Sequence, residues 1–186
     1  MKKSPLLFLS LIALALCSFA IFETRETKGV TKLKYQQYLS LFDKVELPYQ
    51  VALDTGIISK ATRIDVGFSH FHEELRTGGF SRIGPSNYYA EALVVSNEKI
   101  NVVLYSVVRP RSRKEYSYYL QSIDAKGNII MNTFLVSLNN KTKNTCQINK
   151  DLSITVFNEQ KQQRQVIQIY PDGKIEEISS KTAMAD

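Results

Sequence analysis

Two histidines are present in the 186-residue chain, and both fall in one stretch, His70-Phe71-His72-Glu73-Glu74. On an extended backbone successive side chains point to opposite faces, so His70, His72 and Glu74 would share one. Two imidazoles and a carboxylate at that spacing are donor types that hold Zn²⁺ or a similar ion. The competing reading is a polar strand face whose histidines are solvated or paired with Glu73 or Glu74, and it needs no ion. A second concentration of chemistry is Arg109-Pro110-Arg111-Ser112-Arg113-Lys114. Arg109, Arg111, Arg113 and Lys114 put four cations in one connection, enough to grip phosphate or sulfate groups on an envelope polymer or a lipid surface. The plainer and favoured reading is a solvated hairpin loop whose proline and charges discourage edge-to-edge strand pairing.

Three further groups of residues have the right types for a site. Leu53-Asp54-Thr55-Gly56 resembles the active-site triplet of aspartic peptidases, in which the aspartate activates water jointly with a second aspartate. No second Asp-Thr-Gly or Asp-Ser-Gly occurs, so this chemistry would require a homodimer, and an Asp-Thr-Gly turn at a strand end explains the same residues. Tyr88, Tyr89, Tyr105, Tyr116, Tyr118 and Tyr119 have ring faces that a sugar could stack on. The chain has no Trp, the residue with the largest stacking face, and core packing is the better reading of these tyrosines. Asn140-Lys141-Thr142 fits the N-glycosylation pattern, but an Asn/Lys/Thr-rich turn accounts for it without a sugar.

These residues must be positioned by strands. Tyr35, Tyr38, Leu39 and Phe42 lie at i, i+3, i+4 and i+7, which predicts one short helix over 31–42. Beyond it, Tyr49 to Leu53 reads as a strand, and so does the alternation of Ile64, Val66, Phe68, His70 and His72. The segment Asn97-Glu98-Lys99-Ile100-Asn101-Val102 parallels Asn149-Lys150-Asp151-Leu152-Ser153-Ile154 at an offset of 52 residues. Ile123-Asp124-Ala125-Lys126-Gly127 likewise parallels Ile169-Tyr170-Pro171-Asp172-Gly173 at an offset of 46. Gly127 and Gly173 would supply the positive φ of tight hairpins. Each repeat, 88–138 and 144–179, then reads as a four-stranded, blade-like unit. The strands are expected at 88–96, 100–108, 116–124 and 128–137, and again at 144–148, 152–158, 164–170 and 174–179. The expected fold class is all-β, a mainly antiparallel meander of about 8–10 strands. It would close as an open barrel, a sandwich or a propeller-like array, in a single domain over 31–186.

The N-terminus has the three-part plan of a signal peptide. Lys2 and Lys3 lead, Leu6 to Cys17 form an apolar run broken by Ser10, and Ser18-Phe19-Ala20 supplies small residues for a cut after Ala20. Residues 1–20 are read as this signal and 21–30 as a tether. Two alternatives compete with cleavage after Ala20: lipidation at Cys17, or an uncleaved anchor over Leu6 to Phe22. Loss of residues 1–20 leaves 166 residues and takes the formal charge from +6 to +4. That balance does not imply nucleic acid. It also leaves Cys146 as the lone cysteine, which reads as a small buried hydrophobe, so packing must supply the stability.

The lysine-led signal, the Phe42…Leu47-Pro48-Tyr49 entry and the hairpins at Ser122 to Asn128 and Lys150 to Thr155 resemble a loose class of uncharacterised exported proteins. These are β-rich proteins of Bacteroidota-type bacteria, often lipoproteins. The resemblance implies export and raises the Cys17 option, and it carries no activity and no site residues. No nucleophile–base set, phosphate loop or complete metal set reads from the chain, and no cofactor is expected. The expectation is a non-enzymatic binding or structural module, with an unknown protein or envelope polymer as partner. Its place would be the periplasm, the outer membrane or cell surface, or the medium. A metal-binding protein or metal-dependent hydrolase using His70, His72 and Glu74 is the rival, with a peptidase-like protein at Asp54 behind it.

Overall fold

The computed structural model describes residues 32–51, 61–72, 86–108, 116–138 and 144–182. The chain divides into Met1–Gln37 and Tyr38–Asp186, and all the strands belong to the second unit. Residues 32–39 form the helix α1. Tyr35, Tyr38 and Phe42 are buried and Leu39 is half-buried, the face that the spacing predicts. Among the described residues no helix is long and apolar enough to cross a membrane.

Two antiparallel five-stranded sheets make up the fold. The first contains β2 (Thr62–Ile64), β3 (Asn87–Ser96), β4 (Ile100–Val108), β5 (Tyr116–Asp124) and β6 (Ile129–Leu138), in that spatial order. The second contains β1 (Tyr49–Val51), β7 (Asn144–Ile148), β8 (Ser153–Asn158), β9 (Gln163–Ile169) and β10 (Ile175–Thr182), again in that order. β3–β6 and β7–β10 are therefore two consecutive four-stranded meanders, with boundaries within one residue of those read from the sequence except at the end of β10, which runs to Thr182 rather than 179. Each meander gains a fifth strand at its first edge. β2 pairs with β3 through Ile64↔Tyr88, and β1 pairs with β7 through Val51↔Cys146.

The turns form where their side chains can replace backbone partners. Asp124 Oδ1 accepts the backbone N–H groups of Lys126 and Asn128 at 2.8 Å, and Gly127 sits at φ 89°. The same φ at Gly173 closes the β9–β10 hairpin. Asn97 Oδ1 accepts from the N–H groups of Lys99 and Ile100 at 2.9 Å and turns β3 into β4.

The core lies between the sheets. Val102, Leu104, Tyr118 and Leu120 of the first sheet join Cys146, Ile148, Ile154, Val156, Ile167 and Ile169 of the second in one buried cluster. The second sheet alternates in the manner of a sheet with one wet face. Cys146 and Ile148 point in, while Thr145 and Gln147 are exposed. The first sheet does not alternate in this way at its centre. In β4 every residue from Ile100 to Val107 is buried, so its outer face is covered too. A strand buried on both faces reads as one continuous apolar run, and Ile100-Asn101-Val102-Val103-Leu104-Tyr105-Ser106-Val107-Val108 nearly is one.

The cover comes from a segment whose sequence reading needs correction. The strand expected from Ile64 through His72 ends at Ile64. The backbone then makes a single 3-10 turn at Val66–Phe68, and continues in turn conformation to Phe71. Phe68 N–H donates to Asp65 C=O at 3.0 Å and Phe71 N–H to Phe68 C=O at 2.9 Å, so local i→i+3 bonds replace a ladder. The apolar alternation belongs to a turn that tucks Phe71 and His72 inward and leaves Val66 exposed.

Candidate functional site

His72 is delivered by this turn onto the outer face of the first sheet, where it meets a row of rings. Tyr105 of β4 lies directly opposite Tyr119 of β5, which in turn faces Phe134 of β6. The Tyr105 and Tyr119 rings stack at 5.3 Å between centroids and 11° between planes. Tyr88 stacks on the other side of Tyr105 at 6.1 Å, and Phe134 meets Tyr119 edge-on at 5.3 Å. Four rings thus form a cross-strand ladder over β3–β6, the kind of neighbour packing that stabilises a sheet pair by about 0.2–1 kcal/mol each. Their faces are largely turned on one another. Tyr118, the strand neighbour of Tyr119, points the opposite way and is 1% exposed in the core between the sheets.

Above the ladder, the Tyr38 ring stacks on Phe71 at 4.2 Å and meets Phe42 edge-on at 5.1 Å. The Tyr38 hydroxyl lies 2.9 Å from His72 Nε2 and 3.0 Å from Gln121 Oε1. Gln121 Nε2 donates to the Phe71 carbonyl at 2.8 Å. A carbonyl only accepts, so this last bond fixes the Gln121 amide with its oxygen toward Tyr38. Tyr38 must then spend its one proton on Gln121, and His72 Nε2 must donate to Tyr38. His72 is therefore the neutral Nε2–H tautomer, and Nδ1 carries the lone pair. Burial pushes the imidazole down to about 4, which agrees with that neutral form. Nδ1 makes no hydrogen bond to any described residue, although His72 is 5% exposed.

Between the turn and the ladder lies a cavity of about 330 Å³. Phe71, His72 and Val107 form one part of its lining, and Tyr88, Tyr105 and Tyr119 another. Gln121, Asn132 and Ile129 complete it. Asn132 Oδ1 accepts from the Tyr105 hydroxyl at 3.0 Å, and that leaves the two Nδ2 protons of Asn132 without a bond to a described residue. With His72 neutral, none of the lining side chains among the described residues carries a charge at neutral pH.

A different polar cluster lies on the opposite face of the same sheet. The Ser106 hydroxyl, fully buried, donates to Glu91 Oε1 at 2.5 Å. Burial raises the Glu91 carboxyl above its usual range, and the Ser106 bond opposes part of that rise. Tyr49 is also raised, by burial first and then by the Glu91 charge. Because Ser106 is closed to solvent, this pair holds the sheet interior rather than offering a nucleophile.

The residues singled out in the sequence fare differently. His70 and His72 share no strand face: His70 is exposed, with its ring against the edge of Phe71 at 5.2 Å, and His72 is buried in the network above. Glu74 lies outside the described residues, and among these no group of three His, Cys, Asp or Glu side chains is arranged to hold a metal ion. Asp54, Thr55 and Gly56 also lie outside them, as do Arg109, Arg111, Arg113, Lys114, Asn140 and the whole segment 1–31 with Cys17. Cys146 is fully buried, and burial pushes its thiol up to about 12, so it is no nucleophile. Gln121 and Asn132 line the cavity with His72, and Tyr38 holds His72 in place; sequence reasoning passed over Gln121 and Asn132 and read Tyr38 only as part of a helix face. The one local signal for them was Gln121 itself, an amide inside the apolar strand Tyr118-Tyr119-Leu120-Gln121-Ser122-Ile123. Comparison with protein-family models, with curated proteins and with solved structures finds no match for this chain.

Proposed function

We propose that this chain is an exported, non-catalytic binding module whose ligand site is the cavity between the His72 turn and the outer face of the first sheet. The observation that supports this reading most directly is a preformed cavity of about 330 Å³, uncharged in its described lining and bordered by a buried hydrogen-bond network. Ligand pockets are typically concave, largely apolar and furnished with a few placed polar groups, at about 300–1,000 Å³. A buried, neutral His72 fixed through Tyr38 and Gln121 is such a placed group. The described lining is made of aromatic, aliphatic and amide side chains with the neutral His72, groups that suit holding a ligand. Export rests on the N-terminal pattern of Lys2, Lys3 and the apolar run to Cys17.

Two measurements test this proposal. Backbone NMR of the chain from Ile21 onward, titrated with a panel of small neutral molecules, should move the signals of His72, Tyr119, Gln121 and Asn132 together for at least one of them. A panel that leaves those signals still, or moves only residues of the second sheet, would overturn the site. Fractionation of producing cells, followed by intact-mass analysis, should find the protein outside the cytoplasm. A free Ile21 terminus would indicate cleavage after Ala20, an acylated Cys17 would indicate a tether, and a cytoplasmic full-length chain would refute export.

A further inference from the structure

The ring contacts around the cavity indicate what its occupant must bring. Of the nine lining residues, five carry rings: Phe71, His72, Tyr88, Tyr105 and Tyr119. They fall in two sets. Tyr88, Tyr105 and Tyr119 belong to the row on the sheet, where Tyr105 lies within 29° of the plane of Tyr88 and within 11° of that of Tyr119. Rings whose faces are turned on their neighbours in a row present edges to a third body above the row. His72 already uses such an edge. Both faces of Tyr105 are turned to Tyr88 and Tyr119, and His72 meets Tyr105 at 4.6 Å between centroids with 70° between planes. Among the described residues His72 makes ring contacts with Tyr88 and Tyr105 of the row, whereas the ring contacts of Tyr119 are with Tyr105 and Phe134, within the row itself. The cavity is lined by both His72 and Tyr119, so a ring held in it would continue the upper layer from His72 toward Tyr119.

The edge of an aromatic ring is its positive rim and the face its negative surface. A row of edges therefore favours a guest that brings a ring face over a saturated guest of the same size. Access fits such a guest. Ile129 and Asn132 are exposed, while Phe71, His72, Tyr88 and Tyr105 are buried, so the cavity opens on the β6 side and closes toward the turn. Val107 and Ile129 add aliphatic contact. A volume of about 330 Å³, at the small end of ligand pockets, suits a single substituted ring.

We propose that the cavity takes an aromatic ring of the benzene type with a short substituent, seated beside His72 with its face on the edges of Tyr105 and Tyr119. The ring belongs either to a free small molecule or to an aromatic side chain of a partner, and the chemistry recognised is the same. This deepens the binding reading above and rests on it. The step is reversible binding, with no bond made or broken.

The test is an NMR titration of the chain from Ile21 onward with benzyl alcohol and cyclohexylmethanol, which share a size and a hydroxyl and differ in the ring face. Benzyl alcohol should shift the signals of His72, Tyr105 and Tyr119 and bind about two- to tenfold more tightly than cyclohexylmethanol. A cavity that responds only to apolar area would hold the saturated ring at least as well. Tyr119→Leu should bring the two affinities together. Tyr119→Phe, which keeps the ring edge and loses the hydroxyl, should keep them apart. If Tyr119→Leu does not fold, Tyr119→Phe carries the test, and loss of the preference in it overturns the assignment. N-acetyl-tyrosinamide separates the two sources: binding at least as tight as that of benzyl alcohol marks a partner's side chain, its exclusion marks a free molecule, and each supports the ring. Equal binding of the two alcohols, tighter binding of cyclohexylmethanol, or a preference that survives in Tyr119→Leu overturns the ring assignment while the cavity stands as a binding site. If neither alcohol moves the cavity signals but another neutral molecule does, the same holds. If nothing moves them, both readings fall.

Discussion

Acid should unfold this protein earlier than its carboxylates require, and His72 should be the cause. The imidazole moves from its ordinary value of 6.5 to about 4 in the fold because burial penalises the charged form. The groups packed around it are phenols, an amide and a carbonyl: Tyr38 from α1, Tyr88 from β3, Tyr105 from β4, Gln121 from β5 and the Phe71 backbone. No carboxylate among the described residues faces it to offset the charge. The unfolded chain therefore takes up a proton near pH 6.5, while the folded chain resists until about pH 4. Folding stability is full above pH 6.5 and is lost progressively down to about pH 4, below which His72 adds no further loss. At 1.36 kcal/mol per tenfold change in proton affinity, the loss is about 3 kcal/mol, a large share of the 5–15 kcal/mol typical of a domain. Glu91 acts in the opposite direction. Its raised carboxyl stabilises the fold at low pH, and that contribution fades as pH rises through its folded value. The lowered Asp124 and Asp151 lose their stabilising effect only as pH falls below 3.8. Urea unfolding at pH 7, 6, 5 and 4.3, followed by far-UV circular dichroism, should show the decline in the wild type, and His72→Gln should flatten most of it. An unchanged slope in His72→Gln, or a wild type equally stable at pH 7 and 4.3, would mean that the burial of His72 does not set this pH dependence.

The remaining predictions concern the frame around the site. Gly173→Ala forces a side chain into φ 89° and places its Cβ 2.6 Å from Ile130 Cδ1, so it should destabilise by about 1–3 kcal/mol in denaturant titration. Adding Ile130→Ala should relieve the clash but not the backbone cost, and the double variant should stay below the wild type. Ser106→Ala removes the hydrogen bond from a half-buried carboxyl and should cost about 1–3 kcal/mol at pH 7, less at pH 4.5 where Glu91 takes up a proton. Cys146 should resist a thiol reagent in the native protein at pH 8 and react fully in guanidinium, as tracked by absorbance; rapid native labelling would mean that the inner face of β7 opens far more readily than its burial implies.

The strands could be read from the sequence for a physical reason that also explains where reading stopped. In the second sheet one face is wet, so Cys146, Ile148, Ile154, Val156, Ile167 and Ile169 recur with period two against polar neighbours. Gly127 and Gly173 then mark the hairpins, because both sit at φ 89°. The stretch from Ile64 to His72 has the same period and a different structure. Period two records which residues prefer burial, and a 3-10 turn can satisfy that preference for Phe71 and His72 while Val66 stays exposed. Nothing local separates the two outcomes. The decisive partners are remote, since the Tyr38 hydroxyl that captures His72 is 34 residues away from it and 83 from Gln121.

The same distance in sequence explains why His70 and His72 could be read together as candidate metal ligands, while His72, Tyr88, Tyr105 and Tyr119 could be singled out separately but not placed in one cavity. A pair of imidazoles two residues apart is visible to anyone scanning the chain, whereas a site lined by a turn and four strands has no spacing to recognise. The unbroken apolar run of β4 was the indirect clue. Val103, Tyr105 and Val107 are buried on the side away from the core, so something had to cover that face. Among the described residues the cover is the Tyr38–Phe71–His72 layer, with the cavity between Phe71 and His72 and the outer face at Tyr105, Tyr119 and Asn132. The polar groups of this layer are paired, His72 and Gln121 through Tyr38, and Asn132 Oδ1 with Tyr105, so the layer covers the sheet without leaving a described buried group unsatisfied there. A neutral histidine held by Tyr38 beside that cavity is the arrangement on which the proposed ligand site rests.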